Sequence, residues 1–312
     1  MAHHALSAAP ETVHWGYFDA GLAPVLRIEP GDTVTVGSLS GAPDEVPNSA
    51  EFTVSPALRA IHARVGQELG PHILTGPIAV RGAEPGDALR VEILEVALSE
   101  DWAFNLVRPE RGALPSLASR PSVVHLGIDR ARGLVRTPWG IDIPARPFFG
   151  VMGTAPTSAE GRITSVVPGR FGGNMDNKEL GAGAELFLPV AVRGGLLSVG
   201  DGHAVQGDGE VCLTAAETGL TGRLRIDLVK AAHLDAPFAL TPTHLVAMAF
   251  ASTLDEAAET ALRRMIALIQ ARTDLAAEEA YRLCSLAADL RVTQVVNRAK
   301  GVHMMLPREL LP

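Results

Sequence analysis

The stretch that decides the fold runs from Val25 to Val36 and reads VLRIEPGDTVTV. Its centre, Pro30-Gly31-Asp32, is typical of a turn, because proline pre-sets φ, glycine accepts the left-handed conformation and aspartate bonds nearby backbone N–H groups. The alternation from Thr33 to Val36 predicts a half-buried β-strand after that turn. The same arrangement recurs at Pro85-Gly86-Asp87, followed by the apolar alternation of Leu89 to Leu94. Two hairpins of this kind predict a β-sandwich or barrel-like core.

The β pattern returns in the second half of the chain and then gives way to a helical one. Strands are predicted at Glu185 to Val192, Leu196 to Val199, Val211 to Ala215 and Gly222 to Val229. Thr253-Leu-Asp-Glu256 fits a capping box, and the apolar residues behind it keep helical spacing. Thr273 is expected to cap a second helix that runs to about Asp289, and Arg291 to Asn297 is expected to return as a strand.

These patterns together predict an α+β protein. Its β-rich core, sandwich or barrel-like, would carry a C-terminal paired-helix segment packed on a sheet. We expect residues 1–150 to form a β-rich N-terminal region and residues 151–312 an α+β C-terminal region that carries the main motifs. No linker separates the two regions, so one compact unit is an alternative.

Composition excludes several classes of protein. The 312 residues include 35 acidic and 27 basic ones, which argues against a nucleic-acid partner, and 47% hydrophobic residues exclude disorder. Cys212 and Cys284 are too few and too far apart for a disulfide framework, which favours a reducing compartment. Neither a secretory signal nor an apolar run of about 20 residues is visible, so we expect a cytoplasmic protein without a membrane partner.

The densest cluster of reactive side chains is Gly200 to Glu210, which reads GDGHAVQGDGE. In an extended chain, residues two apart share a face, so Asp201 can join His203, and Asp208 can join Glu210. A mixed set of carboxylates and an imidazole suits Zn²⁺, Mn²⁺ or Fe²⁺. The alternative is a plain hairpin in which the glycines make turns and the acids face solvent.

Other polar residues are candidates for the same chemistry. The loop from Arg170 to Lys178 offers Asp176 as a metal ligand, and Asn174 or Lys178 to polarise a carbonyl. His72 lies in GPHILTGP, among apolar and turn residues, and is either a ligand or a structural histidine. His14 and His303 have no role that the sequence fixes.

These motifs make the chain resemble the acetamidase/formamidase family in its short form. The resemblance covers nearly the whole chain, and its landmarks are Thr12–Gly16, Pro30–Asp32, Gly70–Pro77, Gly150–Gly153, Gly172–Asp176 and Gly200–Glu210. The family hydrolyses small carboxamides such as formamide and acetamide to ammonia and the carboxylic acid. Its members contain metal, and some accept cyclic amides. The resemblance therefore implies a hydrolase of carbon–nitrogen bonds other than peptide bonds.

We hypothesise that a divalent metal is held by Asp201, His203 and Asp176, with His72 as a further ligand. Zinc is favoured, with calcium or iron as alternatives. Glu210 would be the general base, and Asn174 and Lys178 would be oxyanion donors. The expected partners are a small amide and further copies of the chain, as a dimer or larger homo-oligomer.

Two alternatives to this hypothesis remain open. The first is a hydrolase of cyclic or bulkier amides. The second is a non-catalytic β-scaffold that Ca²⁺ stiffens, and the presence of His203 argues against it, because a site built of oxygen ligands has no use for an imidazole.

Overall fold

The structure is a computed structural model that describes residues 1–312. It has 22 strands, three α-helices and a final 3₁₀ turn, Arg308–Leu310. The helices are α1 Pro56–Arg64, α2 Leu254–Gln270 and α3 Ala277–Ala287. The strands are β1 His3–Leu6, β2 Val13–Trp15, β3 Tyr17–Phe18, β4 Leu26–Ile28, β5 Asp32–Ser38, β6 Ile73–Val80, β7 Ala88–Leu98, β8 Trp102–Val107, β9 Ser122–Asp129, β10 Leu134–Arg136, β11 Asp142–Pro144, β12 Phe148–Gly153, β13 Ile163–Thr164, β14 Gly172–Asn174, β15 Glu185–Pro189, β16 Leu197–His203, β17 Glu217–Thr218, β18 Leu220–Val229, β19 Phe238–Leu240, β20 His244–Ala251, β21 Asp289–Gln294 and β22 Lys300–Pro307.

The strands form two large sheets and one small pair. Sheet 1 has nine strands in the order β1-β5-β18-β7-β15-β19-β20-β22-β21. Sheet 2 has eleven strands, of which eight follow the order β11-β10-β9-β8-β17-β16-β12-β14, while β6 pairs with β16 and also joins β2 and β4. The remaining pair is β3 with β13. Neither large sheet closes on itself, so the predicted β-rich core is a sandwich and not a barrel.

The main hydrophobic core lies between the two sheets. It joins Val34 and Val91 of sheet 1 to Ile78, Leu197 and Val199 of sheet 2, all of which are fully buried. Residues two apart on each strand point to one face, so each sheet turns its apolar side to the other. This contact fixes sheet 2, whose central strands carry the polar motifs, in one position.

The two C-terminal helices pack on the β20–β22 end of sheet 1, as the sequence predicts. Ala257, Ala261 and Met265 of α2 are buried in a second core with Leu245 and Leu306 of the sheet. The small alanines allow the helix to approach the sheet closely. The predicted α+β arrangement of a β core with a paired-helix segment is therefore confirmed.

The sequence predicts the N-terminal cap of α2 correctly, but not that of α3. The side chain of Thr253 accepts a hydrogen bond from the Glu256 N–H and caps α2, as predicted. The prediction that Thr273 caps the second helix is wrong. The hydroxyl of Thr273 donates to the Ile269 carbonyl at the end of α2, and Glu279 accepts from the Ala276 N–H instead.

Two strand predictions need correction, and both concern the ends of the polar cluster. The strand predicted at Leu196 to Val199 is longer than expected and runs from Leu197 to His203, so Asp201 and His203 lie on β16 itself. The stretch from Val211 to Ala215 forms a turn, because Glu210 and Leu213 have positive φ angles of 46° and 136°. The predicted returning strand is present as β21, but it ends at Gln294.

Both large sheets take strands from each side of residue 150. The division into residues 1–150 and 151–312 stays a prediction. Among the helices of the structure, none has the length and apolar character that crossing a membrane requires.

Candidate active site

Four neighbouring strands of sheet 2 assemble a cluster of buried acids around one histidine. Asp201 and His203 lie on β16, and His203 stands opposite Glu217 of β17 in the antiparallel register. On the other side of β16, β12 pairs with both β16 and β14, and Asp176 follows β14. Glu210 comes from the turn after β16. Each of these five side chains is at most 7% exposed.

Gly150 on β12 makes room for this cluster. A Cβ atom at Gly150 would lie 2.4 Å from Asp176 Oδ1, 2.5 Å from Asp201 Oδ2 and 2.9 Å from His203 Cε1. A residue without a side chain thus stands where three polar side chains converge. The convergence leaves a small space that a Cβ would fill, and a cation is of a size to occupy such a space.

Three buried atoms of the cluster have no hydrogen-bond partner: Asp176 Oδ1, His203 Nε2 and Glu210 Oε2. Each residue offers one ligand atom to a group whose atoms lie within 4.8 Å of one another, and Asp201, His203 and Glu217 form a second such group. His203 Nε2 lies 3.2 Å from Asp201 Oδ2, 3.2 Å from Glu217 Oε2 and 3.8 Å from Asp176 Oδ1. Ligands about 2.0 Å from a tetrahedral Zn²⁺ are about 3.3 Å apart, so these spacings fit a metal.

The buried carboxylates of the cluster carry negative charge that no lysine or arginine balances. Four carboxylates are buried together, and no lysine or arginine forms an ion pair with Asp176, Asp201, Glu210 or Glu217. Buried charges without partners are costly, so such a group must bind protons or a metal. A divalent cation would neutralise these carboxylates in place of the bound protons, and those protons would be released when the cation binds.

The pKa values report the same excess of negative charge. Burial raises the pKa of Asp176 to about 6 and the pKa of Glu217 to about 8. Burial and the Asp176 charge raise the pKa of Glu210 well above its ordinary value. Burial acts against a charged His203, yet the charges of Glu217 and Asp201 raise its pKa well above 6.5. Burial also acts against the charge of Asp201, but the nearby imidazoles hold its pKa below the usual range.

Two carboxamides orient the candidate ligands. Gln206 Oε1 lies 2.9 Å from His203 Nδ1, and Gln206 Nε2 donates to the Asp176 carbonyl at 2.7 Å. Because a neutral amide oxygen accepts, Nδ1 carries the hydrogen and Nε2 is turned to the cluster. Asn297 Nδ2 donates to Asp176 Oδ2, which leaves Oδ1 as the free oxygen.

The backbone at three of the acids is left-handed. The φ angles are 47° at Asp176, 57° at Asp201 and 46° at Glu210. Residues other than glycine pay about 1 kcal/mol or more for this conformation, and such residues concentrate at functional sites. The three strained residues are those whose carboxylates face one another.

The cluster forms the inner end of a cavity of about 520 Å³. Asp176, Asp201, Glu210 and Glu217 line it together with His72 and Asn174. A small molecule that enters the cavity therefore reaches the acids directly. This is what separates the cluster from a structural ion site closed off from solvent.

The structure brings together most of the residues that the sequence singles out. His72 Nε2 lies 3.8 Å from Asp201 Oδ2, and its Nδ1 lies 2.8 Å from Ser165 Oγ. Asn174 lines the cavity and donates one N–H to the Val166 carbonyl, which leaves its second N–H for another acceptor. Asp201, His203, Asp176 and Glu210 meet as described.

Lys178 and Asp208 lie apart from the cluster. Lys178 Nζ is 3.1 Å from Asp208 Oδ1, and Arg291 binds both Asp208 and Glu179. Lys178 is not among the residues that line the cavity, so its expected role as an oxyanion donor stays a prediction without support from this placement. The expectation that Asp208 and Glu210 point the same way is wrong, because the left-handed backbone at Glu210 turns its side chain inward.

Both histidines without an assigned role are buried away from the cavity lining. His14 Nε2 lies 2.9 Å from Ser198 Oγ, and His303 Nδ1 lies 2.7 Å from Thr293 Oγ1. Burial lowers the pKa of each to about 4, so both are neutral near pH 7. Each fills a core position.

Comparison with known proteins places this geometry in context. Residues 8–161 and 158–311 match the model of the acetamidase/formamidase family. The crystal structure of an acetamidase from Bacillus halodurans is similar with a TM-score of 0.85 and 32% identity, covering 98% of each chain.

Two curated proteins are similar over part of the chain. A formamidase of Methylophilus methylotrophus is 32% identical over 197 residues, which is 46% of this chain and 48% of that protein. An acetamidase of Mycolicibacterium smegmatis is 30% identical over 224 residues, which is 52% of this chain and 55% of that protein. The chain thus spans about half the length of the curated relatives it matches.

Proposed function

This chain belongs to the acetamidase/formamidase family, and on that premise we propose that it is an amidase. It hydrolyses small carboxamides of the formamide and acetamide type to ammonia and the carboxylic acid, with the help of a divalent cation. The observation that carries the proposal is the set of three unpartnered buried atoms, Asp176 Oδ1, His203 Nε2 and Glu210 Oε2, at the inner end of an open cavity.

Asp176, Asp201 and His203 would hold the cation, with His72, whose Nε2 lies 3.8 Å from Asp201 Oδ2, as a further ligand. Glu217 contacts His203 from the neighbouring strand. The imidazole favours zinc over calcium, because calcium sites consist of oxygen ligands. A cation bound there supplies positive charge, which lowers the pKa of a water and polarises a carbonyl.

The residues of the chain supply the remaining steps. Glu210 takes a proton from the attacking water and delivers it to the amine as the carbon–nitrogen bond breaks, because its buried carboxyl has a raised pKa and a free oxygen. Asn174 offers its second N–H to the oxygen that gains charge. Gln206 holds the His203 ring through Nδ1 so that Nε2 keeps its direction.

A panel of amides before and after chelation tests the proposal. We expect ammonia release from formamide, acetamide and propionamide, its loss after treatment with a strong chelator, and its return when Zn²⁺ is added. A lactam in the same panel tests hydrolysis of cyclic or bulkier amides, which the size of the cavity favours. Activity that survives complete removal of metal, verified by elemental analysis, would contradict the dependence on a cation.

Glu210→Gln separates the general base from the metal ligands. The amide keeps the shape of the side chain but accepts no proton, so we expect turnover to fall by about 10²–10⁴-fold. Metal content should stay near that of the unchanged protein. Asp208→Asn is the matched control, because Asp208 lies on the same segment and binds Arg291 and Lys178 outside the cavity. Loss of metal from the Glu210 variant would make this residue a ligand instead of the base.

The cytoplasmic location and the homo-oligomer remain predictions from the sequence. Size-exclusion chromatography with light scattering measures the second of these directly.

A further inference from the structure

The cavity is much larger than the smallest substrates of the proposed reaction need. Its volume of about 520 Å³ falls within the range of about 300–1,000 Å³ in which pockets enclose drug-sized ligands. A water molecule takes about 30 Å³ in the liquid, and formamide is only a few times larger. A substrate that fills this cavity therefore extends well beyond its amide group.

Two arginines in the cavity lining have no acidic partner. Arg111 and Arg298 line the cavity, and neither forms an ion pair or a side-chain hydrogen bond. The other arginine of the lining, Arg108, binds Glu45 at 3.1 Å. About half of the arginines outside the cavity form ion pairs, as Arg162 does with Asp19 and Glu68.

The backbone of each arginine is tied to a segment that carries a site acid. The Ala113 N–H donates to the Val211 carbonyl at 2.8 Å, and Gly112 packs against the Cys212 carbonyl. This fixes Arg111 beside the turn that begins at Glu210.

The second arginine is held by a different segment. Arg298 directly follows Asn297, whose side chain donates to Asp176 Oδ2. Two unpaired guanidinium groups therefore stand on the two segments that border the reacting end of the cavity.

The acids of the outer cavity compensate this positive charge only in part. Glu45 is occupied by Arg108, and Glu68 by Arg162. Asp44 is the one acid of the outer lining without an ion pair, against two unpaired arginines. Guanidinium groups bind carboxylates through paired N–H donors, which makes a carboxylate the ligand group that fits them.

From these contacts, and resting on the proposed function, we infer that the substrate is a primary amide whose acyl chain ends in a carboxylate. Arg111 and Arg298 bind this carboxylate while the amide lies at the acids of the inner end. The substrate class is the monoamide of a short dicarboxylic acid. Water adds to the amide carbonyl, the carbon–nitrogen bond breaks, and the products are the dicarboxylate and ammonia.

The first experiment compares matched pairs of amides on the metal-loaded protein. Malonamate, succinamate and glutaramate are each paired with the amide in which an isopropyl group replaces the carboxylate. We expect kcat/KM to be at least tenfold higher for the charged member of one or more pairs, and the preference to fall as salt is raised. Equal values, or a preference for the neutral members at every length, would overturn the inference.

The second experiment asks whether the arginines cause the preference. Arg111→Ala and Arg298→Ala should each reduce the ratio of kcat/KM for the charged over the neutral amide by about tenfold or more. Arg263→Ala and Arg282→Ala are the controls, because these arginines lie exposed on α2 and α3 and pair with Glu259 and Glu278. A ratio that stays constant in both cavity variants would also overturn the inference.

Binding of the product gives a readout without turnover. Glutarate or succinate should raise the melting temperature of the unchanged protein and have a smaller effect on the two cavity variants. If neutral amides are hydrolysed and the charged ones are not preferred, this inference fails and the amidase proposal stands. If no amide in either panel releases ammonia, both fail.

Discussion

His203→Ala is expected to remove bound metal and amide hydrolysis together. The Nε2 atom of His203 is the single nitrogen within 3.2–3.8 Å of three carboxylates, and both candidate metal groups include it. Changes to residues that merely orient a ligand cost about 10–100-fold in metal affinity, so loss of a shared ligand should cost more than a hundredfold. Elemental analysis and ammonia release on the same preparation measure both quantities.

The control for this variant is His244→Ala, at the start of β20 in sheet 1, where the imidazole contacts Thr243. It should keep its metal and its activity. Circular dichroism and the melting temperature separate loss of the ligand from loss of the fold. Full metal content in a folded His203 variant would show that the assignment of ligands is wrong.

Gly150→Ala is expected to be nearly as damaging, although it adds only a methyl group. The new Cβ would stand 2.4 Å from Asp176 Oδ1 and 2.5 Å from Asp201 Oδ2, distances that no real Cβ contact sustains. Because φ at Gly150 is not in the left-handed region, the backbone accepts alanine and the effect arises at the acids. We expect loss of metal binding and a cost of about 1–3 kcal/mol in the free energy of unfolding.

Gly66→Ala is the matched control, because a Cβ at Gly66 meets no atom within 4 Å and its φ is not positive. Urea unfolding and metal titration of the two variants measure the difference. A Gly150 variant that binds zinc and releases ammonia as well as the unchanged protein would show that the cation lies elsewhere.

The sequence predicts the architecture well where the signal is local. The turns at Pro30 and Pro85 and the strands behind them lie where the sequence predicts them. The predicted hairpins are wrong, because each turn leads from a strand of sheet 2, β4 or β6, to a strand of sheet 1, β5 or β7. The capping residue Thr253 marks the start of α2 where the structure has it. The start of α3 escapes prediction, because the cap there is the side chain of Glu279 reaching back and not the more usual hydroxyl of Thr273.

The site is predicted only in part, because the sequence shows local spacing and not the pairing of distant segments. Asp201 and His203 are two residues apart, so strand spacing predicts that they lie together, and the structure brings them together although φ at Asp201 is left-handed. Glu217 gives no such signal, because it meets His203 only through the pairing of β16 with β17. Asn297 is 121 residues from Asp176 in the sequence. The residues around Asn297 form no motif that would single it out.

The case of Glu210 shows the limit of reasoning from spacing. Glu210 is two residues from Asp208, which predicts that both side chains lie on one face. The positive φ at Glu210 instead turns its side chain away from that of Asp208. Sequence patterns describe regular backbone, and the three left-handed acids are where the backbone departs from it.

The wide spacing of the site along the chain has a consequence for biosynthesis. The side chains of the site come together only when the strands that carry or adjoin them, β6, β14, β16 and β17, are in their sheet. The segment after β21, which carries Asn297, must also have folded over these strands. The residues concerned are His72, Asp176, Asp201, Glu217 and Asn297. A ribosome-bound chain lacks the side chain that orients Asp176 until residue 297 has emerged. Cation capture, as proposed, therefore follows completion of the sandwich and cannot guide its early assembly.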